Sequence, residues 1–416
     1  MAQLSGHKPL LSIFLGVLAL TKSTLASAVQ ASRYTACQTL AGEHPLAQCP
    51  KGTLFVSATD KRANFTTVQD AVRSLPNDTS AQTILVGAGR YTEQVNVTRP
   101  GPLTLLGEIA KDERRPYADI KMGDQVQNRV QLWWNSANVN LSRFSDNVFT
   151  GVLTVGPSLE ATRTGHGPLV DADPSMGCSD FKAYNIDFRN EYEQWSVGPS
   201  LAYTVAHANA SFYSCGFYSW QDTIFVGRLA NVYMHDAIIA GQTDYIYGFG
   251  TLWVEASTLV SRSCHYVTAM KGANTTFANK YGAYISNSRF ISSNATVLNG
   301  AQKCALGRPW NDAHRSVVMN SYLDAQILPQ GYAPWDNQPA GNVGPNTTMA
   351  VYKTFGPGSN PAAVLAGRVT RNLTEEQWKP YSTPTKVFMT PQGVQPNVAW
   401  IDPLVLDDFD SEGDGK

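Results

Sequence analysis

The stretch Gly198–Gly250, GPSLAYTVAHANASFYSCGFYSWQDTIFVGRLANVYMHDAIIAGQTDYIYGFG, decides the reading of the fold. Two short apolar runs within it end at Phe217 and Ile239. Five residues after each stands an aspartate, Asp222 in Gln221-Asp222-Thr223 and Asp244 in Thr243-Asp244-Tyr245. A recurrence of about 22 residues is the length of one coil of a solenoid repeat. Successive parallel strands lie about 4.8 Å apart, so the two carboxylates would be stacked neighbours. Two carboxylates that close do not both ionise easily, and one is expected to be pushed toward its protonated form. A paired acid and base is the minimum equipment for hydrolysing an ester or a glycoside.

The same shape recurs outward from this stretch. Asn185–Phe188, Ser214–Phe217 and Asp236–Ile239 each run polar-x-x-apolar, and Ala256–Leu259, Asn287–Phe290 and Asn320–Leu323 do so more loosely. The steps vary from roughly 20 to 33 residues, as expected when loops of different length leave one corner of each coil. A single coil cannot bury its apolar side, and stacking makes one continuous core. The expected fold is all-β, a right-handed parallel β-helix; a β-sandwich of short strands is the competing arrangement. Upstream, Phe65–Val72 is the clearest helical segment, with Val68, Ala71, Val72 and Leu75 on one face and Pro76-Asn77-Asp78 as its stop. One short helix ahead of a solenoid suits a cap over the open end of the core. Thr83–Val86, Gly89–Val97 and Leu103–Gly107 read as short strands broken by turn residues, without the helical segments a doubly wound α/β fold requires.

The 416 residues suffice for a large core, and a formal charge of −1 leaves no basic field for nucleic acid or an anionic membrane. Residues 1–28 read as a secretory signal: Lys8, the apolar run Pro9–Leu20, then the small-x-small site Ala26-Ser27-Ala28. Residues 29–52 read as an N-terminal extension, 53–400 as the β-helix domain and 401–416 as an acidic, solvated tail. Sequons at Asn64, Asn77, Asn96, Asn140, Asn209, Asn274, Asn294, Asn346 and Asn372 fit a secreted glycoprotein. Cys37 and Cys49 are spaced for a local bridge in an oxidising compartment, and the other four cysteines leave their connectivity open. No Cys/His cluster has zinc spacing, and no metal site is expected.

Several segments together resemble pectin methylesterases (pectinesterases), β-helix enzymes of plant cell-wall chemistry. Phe65–Val72 is similar to F-T-T-[IV]-Q-x-A-V, and Gly89–Glu93 to G-x-Y-x-E. Gln221-Asp222-Thr223 matches Q-D-T, Gly241–Gly248 resembles G-x-[VT]-D-[FY]-I-F-G, and Leu306–Trp310 matches L-G-R-P-W. Val317–Met319 and Tyr322–Asp324 continue the likeness, which spans roughly residues 55 to 340. The set in this order is specific, although each motif alone is modest.

The resemblance implies that Asp244 is the nucleophile toward a C6 methyl ester of galacturonate, oriented and kept charged by Arg308. It implies that Asp222 is the acid for departing methanol and then the base for water, and that Gln221 donates to the oxyanion. Tyr245, Tyr247 and Trp310 would line the groove. No organic cofactor or metal is implied, and the expected partner is methyl-esterified pectin, with no nucleic acid or membrane, for a monomeric secreted enzyme. The chain departs from the family pattern at Tyr203, where counting from Gly198-Pro199 places a second glutamine, and in Val267–Gly272, similar to I-T-A-Q-G-R. Tyr203, Thr268 and Met270 are accordingly expected among the substrate contacts. Tyr203 and Met270 are also the only support for an alternative, a polysaccharide-binding β-helix with little turnover. A polygalacturonase or pectate lyase would need further catalytic or calcium-binding carboxylates that the sequence does not display.

Overall fold

The computed structural model describes residues 34–410, apart from 41, 43, 111–119, 125–127, 165–175, 273–279, 337–338 and 391–392. The signal-like segment and the Asn274 sequon lie outside the described residues. Among the described residues the strands form three sheets of eleven, seven and eight strands, and every strand-to-strand ladder is parallel. The chain visits the sheets in turn. Gly216–Tyr218 lies in the eight-stranded sheet, Ile224–Val226 in the seven-stranded sheet and Asn231–His235 in the eleven-stranded sheet. Ile238–Gly241 then begins the next coil above Gly216–Tyr218. This is the expected parallel β-helix, whose winding follows the right-handed rule for parallel crossovers.

The repeat seen in the sequence has a direct structural meaning. Its apolar ends, Phe188, Phe217, Ile239, Leu259, Phe290 and Leu323, are paired in consecutive register and form one ladder inside the solenoid. Its first residues, Asn185, Ser214, Asp236, Ala256, Asn287 and Asn320, all have φ between 47° and 55°. Each makes the sharp bend from the eleven-stranded to the eight-stranded sheet. Asn and Asp tolerate this left-handed conformation better than branched residues do.

The helix over Val68–Ser74 forms as its periodicity predicts and buries Val68, Ala71 and Val72 against the core. Thr67 caps it by accepting from Asp70 N–H. The Glu93 carboxylate of the Gly89–Glu93 segment accepts from Val68 N–H at 2.9 Å and Gln69 N–H at 2.7 Å. A carboxylate at a helix N-terminus satisfies orphan donors and faces the positive end of the helix dipole.

The Cys37–Cys49 bridge forms as expected, and the C-terminal segment corrects the sequence expectation. Cys37, disulfide-bonded to Cys49, packs with Trp400 and Ile401 against the outer aromatic face of the eleven-stranded sheet, which carries Tyr184, Tyr213, Tyr233, Trp253 and Tyr284. Gln38 donates to Gly107 O and to Asn185 Oδ1, both at 2.9 Å. The tail does not become solvated at 401. Ile401 and Asp402 are buried, Tyr184 Oη donates to Asp402 at 2.7 Å, and Pro403–Asp410 is helical. The apolar outer face of the sheet has to be covered, and the terminal segments cover it. No helix of the described residues is long and apolar enough to cross a membrane.

Candidate active site

Asp222 and Asp244 occupy equivalent corners of adjacent coils, where the chain passes from the eight-stranded to the seven-stranded sheet. Both are left-handed, with φ of 59° and 49°. Gln221 and Thr243 form a parallel bridge, and Asp222 N–H donates to Thr243 O at 3.0 Å, so the corners stack directly. Both side chains are almost wholly withdrawn from solvent.

Their electrostatic situations differ. Arg308 grips Asp244 with a fork, Nε to Oδ1 at 3.0 Å and Nη2 to Oδ2 at 2.6 Å. The guanidinium is itself held between two rings, 3.8 Å from the centroid of Trp335 and 4.2 Å from that of Tyr266. Burial raises Asp244 above the usual carboxylate range, while the Arg308 bonds and charge, and then His265, pull it back. Burial first and the Asp244 charge second push Asp222 well above that range, against weaker pulls from Arg308 and Tyr247. The Tyr247 hydroxyl stands near Asp222 but makes no hydrogen bond of normal geometry. The corner pair thus sets one carboxylate against a fixed cation and leaves the other biased toward the neutral acid.

Gln221 stands beside the pair, half-buried. Ser196 Oγ donates to its carbonyl Oε1 at 2.5 Å, and Ser196 N–H donates to Gln242 Oε1 at 3.3 Å. With its carbonyl occupied, Gln221 presents its amide as a donor.

The aromatic expectations divide. Tyr247 lies on the outer face of the seven-stranded sheet with Leu201, Phe225 and Ala269, and Phe249, Trp310 and Trp335 pack onto that face. Tyr247 and Trp310 ring centroids are 6.0 Å apart. Tyr245, by contrast, is buried in the solenoid core, turned in over Gly241, where a Cβ would come within 2.2 Å of the Tyr245 Cβ. Tyr203 is also in the core, stacked on Phe212 at 5.2 Å, with its hydroxyl unpartnered. Ser200, not Tyr203, is the residue of the preceding coil that meets Gln221, its N–H donating to Gln221 O at 3.0 Å. Met270 is a core residue, and Thr268 points inward, donating to Leu306 O at 2.9 Å. Tyr203, Tyr245, Thr268 and Met270 are therefore removed from the expected substrate contacts; each fills interior space that the coil has to close.

Sequence reasoning missed Ser196, His265, Tyr266, Phe225 and Trp335. A signal existed for two of them. Cys264 stands five residues after Leu259, the offset of the two aspartates, which points to His265 and Tyr266 beside the corresponding corner; the register puts Tyr266 level with Asp244. Cys264 is disulfide-bonded to Cys304, which ties that corner to the strand leading into Arg308. Trp335 had no signal, because it arrives from a long loop. Glu193, at the same offset in an earlier coil, is exposed. Buried His207 and His314 stand apart from the corner pair, and burial lowers them to about 4 and about 3. Among the described residues no group of three or more His, Cys, Asp or Glu side chains could hold a metal ion.

A family model described as Pectinesterase matches residues 119–387. A probable pectinesterase A from Aspergillus fumigatus is 27% identical over 288 residues, 69% of this chain and 75% of that protein. The pectin methylesterase from carrot matches with a TM-score of 0.63 at 20% identity, covering 80% of this chain and 92% of that one. A pectin methylesterase solved in complex with hexasaccharide VII matches with a TM-score of 0.61 at 22% identity, covering 82% and 98%. At these identities the structural likenesses speak for the shared fold.

Proposed function

Because the chain belongs to the pectinesterase family, and is thus a carboxylic ester hydrolase, we propose that it is a secreted pectin methylesterase acting through Asp244 and Asp222. The substrate in this reading is the C6 methyl ester of polygalacturonate, and the products are pectate and methanol. The hexasaccharide complex of a related fold supports a sugar chain as the ligand. The observation that carries the reading is the stacked pair itself, one carboxylate forked by Arg308 and the other pushed toward the acid form.

Asp244 Oδ attacks the ester carbonyl carbon, and the carbonyl electron pair moves to oxygen, where the Gln221 amide donates to it. The tetrahedral intermediate collapses, the C–OCH3 bond breaks, and Asp222 supplies the proton that makes methanol. Asp222, now ionised, takes a proton from water. The hydroxide attacks the same carbonyl of the acyl-enzyme anhydride, and Asp244 leaves as a carboxylate. Arg308 favours the charged form of Asp244 at both ends of the cycle. Phe225, Tyr247 and Trp310 offer flat apolar surface to sugar rings.

Secretion is supported by the signal-like N-terminus and by two disulfides, Cys37–Cys49 and Cys264–Cys304. Exposed sequon asparagines at Asn77, Asn140, Asn294, Asn346 and Asn372 support glycosylation. Tyr203 and Met270, the two departures behind the low-turnover binding reading, lie in the core. The test is methanol release from highly methylated pectin by the purified chain and by Asp244→Asn. Release by the wild type and a loss of several orders of magnitude in the variant is the expected result. No release by the wild type across a wide pH range would overturn the reading.

A further inference from the structure

The outer face of the seven-stranded sheet carries a second cation besides Arg308. Lys271 directly follows the strand Tyr266–Met270, and its backbone N–H donates to Gly248 O at 2.9 Å. Its ammonium lies 3.8 Å from the centroid of Trp310 and 4.8 Å from that of Phe249. The two cations are not equivalent. Arg308 is neutralised by Asp244, whereas among the described residues no carboxylate pairs with Lys271. The adjoining residues 273–279, Ala-Asn-Thr-Thr-Phe-Ala-Asn, contain no acid either. Lys271 is half-buried, so its charge is only partly hydrated, and burial lowers its pKa. A partly desolvated cation over aromatic rings gains from an anion brought to it.

The distance along the sheet separates this cation from the reacting ester. Asp244 precedes the strand Ile246–Gly248, and Lys271 sits one coil on, beyond the Gly248–Met270 pair at the far end. By register Lys271 is level with Phe249, five residue positions beyond Asp244, at most about 16 Å along the sheet at about 3.3 Å per residue. A sugar unit other than the one under attack would meet Lys271.

We propose that Lys271, over Trp310 and Phe249, is a carboxylate subsite that recognises an already demethylated galacturonate unit of the same chain. The proposal rests on the pectin methylesterase reading and deepens it. It makes Lys271 a specificity determinant, favouring partly de-esterified pectin over the fully methylated polymer.

The test is equilibrium binding of polygalacturonate and of highly methylated pectin, by affinity electrophoresis, to the wild type, Lys271→Met and Lys271→Arg. Met keeps most of the apolar stem and removes the charge. The expected result is about a tenfold loss of polygalacturonate affinity in Lys271→Met, a smaller loss for methylated pectin, and recovery in Lys271→Arg. Unchanged affinities, or equal losses for both polymers, would overturn the subsite. The wild type alone provides a second check, because its preference for the acidic polymer must shrink as salt is raised, and a salt-independent preference would overturn it as well. Methanol release is measured separately: a wild type that binds with this preference but releases no methanol would sink the esterase reading and leave the subsite standing.

Discussion

Arg308 and Asp244, which are 64 residues apart in the sequence, are joined by two parallel hydrogen bonds of 3.0 and 2.6 Å. Both partners are withdrawn from solvent, and the guanidinium plane is clasped between Trp335 and Tyr266. This geometry uses what distinguishes arginine from lysine, a planar fork that matches a carboxylate and stacks on rings. Arg308→Lys retains the charge and loses the fork and the stacking. We expect kcat for methanol release to fall by about a hundredfold, in line with the roughly 3–5 kcal/mol cost of breaking a buried pair, part of which appears as lost stability. Activity within a fewfold of the wild type would show that the fork does not hold the nucleophile.

The stacked aspartates predict a bell-shaped pH profile for kcat/KM. In the proposed mechanism the active form has Asp244 ionised and Asp222 protonated. Asp244 is raised by burial, so activity appears only above the usual aspartate range. Asp222 is raised further, by burial and by the Asp244 charge, so activity is lost well above that range as Asp222 ionises. The two limbs belong to the coupled pair rather than to either residue alone. A profile that stays flat on the alkaline side would remove Asp222 as the acid.

In the proposed mechanism Ser196 is a positioning residue, acting through the Gln221 carbonyl to which it donates. Removing an oxyanion donor outright typically costs about 3 kcal/mol of barrier, and loosening it costs less. Ser196→Ala is expected to lower kcat about tenfold with little change in KM, and Ser196→Thr to restore it. A structural role alone would move thermal stability and leave this split between kcat and KM absent.

Tyr203 gives the opposite kind of prediction. Its hydroxyl is buried without a partner among Phe212 and Phe217. Such a group carries an uncompensated desolvation cost. Tyr203→Phe should raise the free energy of unfolding by about 1 kcal/mol and leave methanol release unaltered. A large loss of kcat/KM in this variant would return Tyr203 to the site and contradict its place in the core.

Much of the arrangement was legible in the sequence for a definite reason. In a parallel solenoid each coil repeats the same inside and corner positions, so residues at equal offsets stack. The polar-x-x-apolar repeat therefore marked the bends and the core ladder, and the equal offsets of Asp222 and Asp244 marked their adjacency. The direction of neighbouring side chains was not legible. The left-handed residues Asp222 and Asp244 reset the two-residue alternation of the strands that follow them. After Asp244 both Tyr245 and Ile246 face the core, and only Tyr247 turns outward. Tyr203 pairs in register with the core residue Ile224, a placement that its own sequence neighbourhood does not mark. Trp335 and the terminal segments were decided by tertiary structure alone. They are brought from far along the chain to cover an aromatic sheet face or a guanidinium, and contacts of that kind leave no local period to read.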